Sequence, residues 1–286
     1  MLTTGADKPR RRFAAAFKFP PRCCSELTYR RALSSIQQRR DNLSSPVMRT
    51  SGGTGRAPVI IEHHGVLVVR DDLFTGGTKA RFLSMMFNGA DEVVYASPAE
   101  GGAQLALATV ARRLGKQATI FVARRAKPHP RTIEATQLGA KIVAVAPGYL
   151  SVVQARAREY CTQTGARLMP FGADMPEAIF AIAAAARAIG VEPDEVWCAS
   201  GSGVLARGLA AAWPNARRHA VQVGRKLTPR DVAGAIIHIH PAPYGRAARS
   251  KPPFPCDPYY EAKAWEVTTA CKGTGRVVFW NVMGPA

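Results

Sequence analysis

From Val59 onward, short apolar segments alternate along the chain with segments of helical periodicity. The apolar segments predict strands at 66–69, 92–96, 117–123, 141–146, 167–170, 195–199, 219–223 and 276–280. Between them, helices are predicted at 102–114, 131–138, 149–164, 176–189 and 204–213. Apolar strands joined through helices are typical of a parallel sheet that is covered on both faces. The sequence therefore predicts an α/β fold with a doubly wound, mainly parallel sheet, and ligands in such folds bind at the carboxyl ends of the strands.

The segment RDDLFTGGTKARFL, residues 70–83, follows the first of these strands and contains an acidic pair, a glycine turn and one lysine. We predict a strand, a turn and the start of a helix, with Lys79 just inside the helix. The helix dipole and removal from water would both lower the pKa of the Lys79 amine. A neutral amine is the form that Schiff-base chemistry requires. The alternative is that Lys79 is an ordinary surface lysine.

A second glycine-rich turn, ASGSG at residues 199–203, lies between a predicted strand and a predicted helix. Small residues let backbone N–H groups approach an anion, and a helix N-terminus adds a favourable potential. The hydroxyl groups of Ser200 and Ser202 would add hydrogen bonds. The spacing fits neither a nucleoside-triphosphate loop nor a dinucleotide fingerprint. The turn thus predicts a phosphate site for a small molecule, and an ordinary strand-to-helix turn is the alternative.

The positive charge of the chain bears on its partners and on its N-terminal segment. The 286 residues carry a net charge of +19, and residues 1–56 hold twelve Lys and Arg against three Asp and Glu. We predict a basic, disordered extension over residues 1–57, which would be an organellar targeting segment, a basic arm, or sequence upstream of a start at Met48. A nucleic-acid-associated protein is one alternative, but no known nucleic-acid-binding motif is present.

Membrane spans, disulfides and metal sites are not predicted. The chain has no run of about eighteen apolar residues, which a membrane-spanning helix requires. Its six cysteines show neither C-x-x-C nor zinc-ligand spacing, which favours reduced thiols in a cytoplasmic protein. His238 and His240 would face one side of a strand, but no third ligand accompanies them, so we predict no metal.

Five segments together carry a family resemblance. RDDLFTGGTKARFL is similar to an "RxDL…GGNK" motif, and ASGSGVLARGL resembles a phosphate-binding loop. DPYYEAKAW is similar to "DPVYxGKA", and VVFWNVMG resembles a terminal "FxHTGG" strand. FGADMPEAIFAIAAAARAIG resembles the segment leading into the next core helix. In their order along the chain, the motifs resemble the fold-type II pyridoxal-phosphate enzymes of the tryptophan synthase beta-like superfamily, nearest to the branch of 1-aminocyclopropane-1-carboxylate deaminase and D-cysteine desulfhydrase.

The resemblance implies pyridoxal 5′-phosphate as cofactor and a catalytic domain over residues 58–286, with a smaller α/β subdomain over about 90–170 inserted in the larger one. Lys79 would form the Schiff base and, with Tyr260, would be catalytic. The implied cofactor-binding residues are Lys79, Ser200, Gly201, Ser202, Gly203, Glu261 and Asn281. A carboxylate at Glu261 near the pyridine nitrogen would favour protonation of that nitrogen. The alternative for Glu261 is a solvated helix residue.

One segment departs from the family. The Ser-Asn loop that would bind the substrate carboxylate reads SPAEGGAQLAL here, which places Gly101 and Gly102 at the Ser and Asn positions. The backbone N–H groups of these glycines would then bind the carboxylate. The implied activity is elimination, deamination or replacement on a small amino acid, in a homodimer. The alternative is a non-catalytic relative that binds the cofactor or another phosphorylated small molecule.

Overall fold

The computed structural model describes residues 57–285. Apart from its last residue, the basic extension predicted over residues 1–57 lies outside the described residues. The strands are β1 (Ile60–His63), β2 (Val66–Arg70), β3 (Glu92–Ala96), β4 (Gln117–Ala123), β5 (Lys141–Val145), β6 (Arg167–Leu168), β7 (Glu195–Ser200), β8 (Arg217–Gln222), β9 (Ile236–Ile239) and β10 (Val277–Asn281). The helices are α1 (Ala103–Leu114), α2 (Pro130–Gln137), α3 (Leu150–Thr164), α4 (Pro176–Arg187), α5 (Val204–Ala212) and α6 (Glu261–Cys271).

The strands form two sheets. The six-stranded sheet has the order β1-β2-β10-β7-β8-β9, in which β1 is antiparallel to β2 and every other pair is parallel. The four-stranded sheet has the order β5-β4-β3-β6 and is entirely parallel. The predicted α/β class with mainly parallel strands is confirmed. The second sheet takes its strands from residues 92–168, and the division into a larger and a smaller subdomain stays a prediction.

The centre of the larger sheet is buried on both faces, which is why its strands are apolar throughout. Every residue of β7 and β10 is buried. In β10, Val278 and Trp280 pack into one core cluster, while Val277 and Phe279 pack into the other. This alternation is the two-residue period of a strand. Helix α5 covers the first face and α6 covers the second, so the carboxyl edge of the sheet is left as the free end for a ligand.

The segment after the first glycine turn differs from the prediction. Instead of one α-helix it forms two short 3₁₀ helices, Gly77–Arg81 and Leu83–Phe87, separated by Phe82 at φ −127° and ψ −14°. Phe82, Leu83 and Phe87 are all buried, so the segment has no polar face that a surface helix would turn to water. A single 3₁₀ turn supplies little dipole, and the helix-dipole explanation for a shifted Lys79 pKa is therefore wrong.

The two histidines that sequence spacing placed on one strand face have different partners. His238 Nε2 lies 2.9 Å from His219 Nδ1, and His240 Nε2 lies 2.8 Å from a carboxylate oxygen of Glu266. Among residues 57–285, no three His, Cys, Asp or Glu side chains are grouped as metal ligands. The same range contains no helix of the length and apolarity that crossing a membrane demands.

The buried imidazole of His219 predicts a loss of stability in acid. Its ring stacks on Trp197 with centroids 3.8 Å apart, and Glu195 and Arg217 are the other charged neighbours. Burial, followed by the adjacent His238, lowers the pKa of His219 from 6.5 to about 4. Between these two pKa values the unfolded chain binds more protons than the folded chain. The stability that His219 contributes is therefore complete above its pKa in the unfolded chain, and it is lost as the pH falls towards its pKa in the folded chain.

We expect this effect to cost on the order of 2 kcal/mol of unfolding free energy between about pH 7 and pH 4. Urea denaturation across that range measures it, with His219→Phe as the comparison because phenylalanine keeps the stacking on Trp197 and cannot be protonated. The variant should lose less stability in acid than the wild type. Parallel pH profiles for the two proteins would assign the acid sensitivity to other groups.

Candidate active site

One cavity lies where the carboxyl ends of strands from both sheets meet. Its lining includes Thr78 and Lys79 beyond β2, Gly101 and Gly102 beyond β3, and Met283 beyond β10. The turn after β7 and the start of α6 complete it. Nine of the residues singled out from the sequence line this cavity: Lys79, Gly101, Gly102, Ser200, Gly201, Ser202, Gly203, Tyr260 and Glu261. The structure therefore brings together groups separated by up to 182 positions in the chain.

Lys79 is held by contacts of its neighbours with the end of the chain. The backbone N–H of Thr78 donates to the carbonyl oxygen of Val282 at 3.1 Å. The Thr78 hydroxyl donates to Asp71 at 2.8 Å and accepts from the indole N–H of Trp280 at 3.0 Å. Gly77 has a φ of +63°, and a Cβ there would lie 2.2 Å from the Val282 oxygen. These contacts fix the position from which the lysine enters the cavity.

Burial, rather than a helix dipole, controls the charge of Lys79. Desolvation lowers the pKa of its amine, the positive charge of Arg131 lowers that pKa further, and the charge of Glu261 opposes both. Glu261 is buried, and its own pKa is raised by desolvation and by the charge of Asp257, against the effects of Arg131 and Lys79. The two side chains thus both shift towards their neutral forms. A lowered amine pKa and a raised carboxyl pKa bring both groups closer to the range in which they can transfer protons near neutral pH.

The turn from Ser200 to Gly203 has the features of an anion site. The Ser200 hydroxyl is buried and has no hydrogen-bond partner among residues 57–285. The first turn of α5 has no side-chain cap, so its backbone N–H groups are available to a ligand. Gly203 adopts a φ of +89°, and a Cβ there would lie 2.0 Å from the carbonyl oxygen of Asp231. Glycine is therefore required for the close approach that shapes the turn.

Removing the Ser200 hydroxyl should weaken the binding of a phosphorylated ligand without unfolding the protein. We expect Ser200→Ala to raise the dissociation constant for pyridoxal phosphate by about tenfold, the effect of one lost hydrogen bond to a charged group. The melting temperature without ligand should be unchanged or slightly higher, because an unsatisfied buried hydroxyl is removed. Absorbance titration and thermal denaturation measure the two effects. An unchanged dissociation constant would exclude Ser200 from the phosphate site.

Sequence reasoning missed Arg131, Asp257 as a side chain of the site, and Met283. Arg131 has only 1% of its surface exposed. Its Nη2 donates to Asp257 Oδ2 at 2.5 Å and to the carbonyl oxygen of Gly284 at 3.1 Å, and its Nη1 lies 2.7 Å from the sulfur of Met283. All three side chains line the cavity. The sequence signal that could have indicated this pair is Asp257 in the DPYYEAKAW motif, because a buried carboxylate requires a partner.

The two glycines of the departing loop differ in what they offer. The Gly101 N–H donates to the carbonyl oxygen of Pro98 at 2.9 Å, so it is already engaged. The Gly102 N–H has no acceptor among residues 57–285, and Gly102 is the N-terminal cap residue of α1, which has no side-chain cap. A Cβ on Gly102 would lie 2.6 Å from the Met283 sulfur. Of the two predicted backbone donors, only Gly102 is therefore kept in the proposed site.

The structure gives the hydrogen-bond partners of two further predicted residues, Tyr260 and Asn281. The Tyr260 hydroxyl lies 3.1 Å from that of Tyr244, and burial raises the pKa of Tyr260 well above its ordinary value, so the phenol keeps its proton. Asn281 is buried and does not contribute to the cavity lining. Its side-chain amide donates to Asp72 at 2.7 Å and to the carbonyl oxygen of Pro255 at 2.9 Å. We leave Asn281 out of the proposed cofactor-binding set because its donors are used within the fold.

Comparisons with known proteins point to one chemistry. The model of the family "Pyridoxal-phosphate dependent enzyme" matches residues 55–245. The glycyl-dTMP PLP-dependent decarboxylase of Pseudomonas phage M6 is 27% identical over 214 residues, 62% of this chain and 76% of that protein. A solved ACC deaminase homologue aligns with a TM-score of 0.65 at 16% identity, over 77% of this chain and 84% of its own. O-acetyl serine sulfhydrylase isoform 3 from Entamoeba histolytica aligns with a TM-score of 0.62 at 15% identity, over 85% and 91%. At these identities the two structures show the fold alone.

Proposed function

Because the chain belongs to the pyridoxal-phosphate dependent enzyme family, we propose that it is an enzyme that binds its cofactor through Lys79 and acts on a small amino acid. The family predicted from the sequence motifs is confirmed, and pyridoxal 5′-phosphate is the cofactor that it implies. The observation that carries the assignment of Lys79 is its place in one cavity with the Ser200–Gly203 turn. Pyridoxal phosphate requires an amine for its aldehyde and an anion site for its phosphate, and this cavity holds candidates for both.

The residues of the cavity fit the cofactor. The unpartnered Ser200 hydroxyl, the uncapped start of α5 and the glycine at 203 would hold the phosphate. Lys79 would hold the aldehyde carbon, because burial favours its neutral amine. Glu261, which keeps a proton near neutral pH, would face the ring nitrogen. When bound, the cofactor supplies an electron sink for negative charge at the α-carbon of the substrate.

The side chains then divide the proton transfers. Lys79, released by the substrate amine, would take the proton from the α-carbon, because desolvation lowers the pKa of its amine and so favours the neutral form. The Tyr260 phenol, which keeps its proton, would donate a hydrogen bond within the same cavity. We propose elimination, deamination or replacement as the outcome, since each of these begins with removal of that proton and keeps the carboxylate.

Decarboxylation is a second candidate, favoured by the 27% identity to the phage decarboxylase, the name of which gives a glycyl nucleotide as substrate. The products separate the two candidates. Deamination or elimination releases ammonia and a 2-oxo acid, whereas decarboxylation releases carbon dioxide and leaves an amine. A panel of D- and L-amino acids, incubated with cofactor-loaded protein and with Lys79→Ala, measures all of these products.

Two other results, one from the panel and one from a separate nucleic-acid binding assay, would support other functions. Cofactor binding without any product would favour the non-catalytic relative. Salt-dependent binding to nucleic acid that is lost when residues 1–57 are removed would favour the basic nucleic-acid-associated protein, because phosphate contacts by Lys and Arg release counterions. Ammonia or carbon dioxide release that requires Lys79 would support the enzyme.

A further inference from the structure

We propose that Arg131 binds the α-carboxylate of the amino-acid substrate, in place of the side chains that Gly101 and Gly102 lack. This inference rests on the proposed function, because it requires an amino acid to enter the cavity. Arg131 is on α2 and lines the same cavity as Lys79. It would thus determine which substrates are accepted, through their charge at the α-carboxyl position.

The guanidinium of Arg131 is buried but not fully hydrogen-bonded. Its Nε–H has no partner among residues 57–285, although the side chain has only 1% of its surface exposed. Its Nη1 faces only the sulfur of Met283, and a thioether is a weak acceptor. A buried guanidinium that leaves donors unsatisfied loses free energy, which a bound anion would restore. The free donors therefore point to a ligand with a negative charge.

Asp257 positions Arg131 and leaves some of its N–H donors available. One carboxylate oxygen of Asp257 accepts from Arg131 Nη2 at 2.5 Å. The other oxygen accepts from the backbone N–H groups of Tyr259 and Tyr260 at 2.7 and 3.1 Å, in the turn that precedes α6. The Asp257 carboxylate is thus fixed by the turn before α6 and orients one edge of the guanidinium, while Nε and Nη1 remain for a substrate.

Met283 lies where the carboxylate would bind. Its sulfur is 2.7 Å from Arg131 Nη1 and 2.6 Å from the position of a Cβ on Gly102. Arg131 and the uncapped N-terminus of α1 therefore meet on either side of one sulfur atom. Methionine is flexible, and a carboxylate is a much stronger acceptor for a guanidinium than a thioether is. We infer that the substrate displaces this sulfur and accepts from Arg131 and from the Gly102 N–H together.

The test compares an amino acid with its neutral amide. Cofactor-loaded protein is titrated with D- and L-serine and with the matching serinamides, and the near-visible absorbance reports binding. The wild type should bind one serine enantiomer at least about tenfold more tightly than its amide. In Arg131→Met the preference should fall below about threefold, while serinamide binding stays unchanged. Arg131→Lys, which keeps the charge but loses the planar fork, should retain part of the preference.

Two controls separate binding from folding. Arg167→Met removes an exposed arginine, which donates to the carbonyl oxygens of Met86 and Asn88 outside the cavity, and it should leave the preference at the wild-type value. Arg131→Met leaves the Asp257 carboxylate buried without its partner, and that unpaired charge alone can unfold the protein; the double variant Arg131→Met/Asp257→Asn removes the charge. The double variant should also lose the preference for serine over serinamide. Circular dichroism checks the fold of each variant.

Three results would overturn the inference. A wild type without preference for the acid, a preference that survives in Arg131→Met, or an equal loss of serine and serinamide binding would each show that Arg131 is structural. Failure of the proposed function is recognised separately. In that case pyridoxal phosphate would give no absorption band with the wild type, Arg131→Met or Arg167→Met, and the inference would fall with the function.

Discussion

Lys79→Ala is expected to lower amino-acid turnover by at least about 10⁴-fold, because one side chain would both attach the cofactor and move the α-proton. Among the described residues that line the cavity, Lys79 is the only lysine, so no neighbour replaces it. Product release under saturating cofactor measures the loss. Lys116→Ala is the matched control, since Lys116 donates to the carbonyl oxygens of Phe87 and Ala90 away from the cavity.

The loss should reside in the chemical step rather than in the fold. Lys79→Ala should melt at or above the wild-type temperature without cofactor, because a buried amine that is costly to desolvate is removed. Turnover by Lys79→Ala at more than about a tenth of the wild-type rate would assign the proton transfer to another residue. Equal losses in Lys79→Ala and Lys116→Ala would point to a general defect of the preparation.

Gly203→Ala is expected to have the second-largest effect. At a φ of +89°, the new Cβ would lie 2.0 Å from the carbonyl oxygen and 2.8 Å from the carbonyl carbon of Asp231, and both of these atoms are backbone. The turn must therefore move, at a cost of about 3 kcal/mol. We expect the dissociation constant for pyridoxal phosphate to rise at least about 100-fold, and the melting temperature to fall by several degrees.

Gly201→Ala is the control in the same turn. A Cβ on Gly201 would lie 3.4 Å from a ring carbon of Tyr260 and 3.6 Å from the carbonyl oxygen of Val223, which is ordinary packing. Its φ is not in the left-handed region. Absorbance titration and thermal denaturation of both variants should show a large effect for Gly203 and a small one for Gly201. Small effects at both positions would mean that the turn tolerates side chains and does not bind a phosphate through its backbone.

The repeating strands and helices could be predicted from the sequence because burial on both faces gives them a simple pattern. β3 and β4 begin and end at the predicted residues. The pattern fails where burial is one-sided or irregular. β9, which the sequence suggested only through the spacing of His238 and His240, lies outside the regular pattern because Ile236 and Ile239 are exposed at the sheet edge and prolines interrupt the surrounding segment. The prediction of one helix after Gly77 was wrong, because large apolar residues of this segment are buried on several sides and the segment forms two short 3₁₀ helices instead.

The site could be predicted in part. Lys79 and the Ser200–Gly203 turn carry local signals, namely glycine turns that follow apolar strands, and the structure brings them to one cavity. Arg131 and Asp257 are 126 positions apart, and no local sequence motif around either residue predicts that they pair. Their pairing follows from tertiary packing, as does the Met283 sulfur between Arg131 and Gly102. Partner choices of this kind depend on distances that no local pattern in the chain contains.

The role of Arg131 also bears on the choice between reactions. A carboxylate that is held by a guanidinium is stabilised as an anion, which opposes its loss as carbon dioxide. Removal of the α-proton leaves that interaction intact. A strong preference for serine over serinamide would therefore favour deamination, elimination or replacement over decarboxylation. The titration reports whether Arg131 binds the carboxylate, and the product panel reports whether that carboxylate is kept.

The attachment of pyridoxal phosphate to Lys79 is tested most directly by reducing the cofactor-loaded protein with borohydride, digesting it and sequencing the peptides by mass spectrometry. Borohydride converts a carbon–nitrogen double bond at the attachment point into a stable single bond, so the modified lysine survives digestion. The proposed function predicts a phosphopyridoxyl group on the peptide that contains Lys79, and none on that peptide from Lys79→Ala. A group on another lysine, or no modified peptide from a wild type that shows the cofactor absorption band, would contradict the assignment.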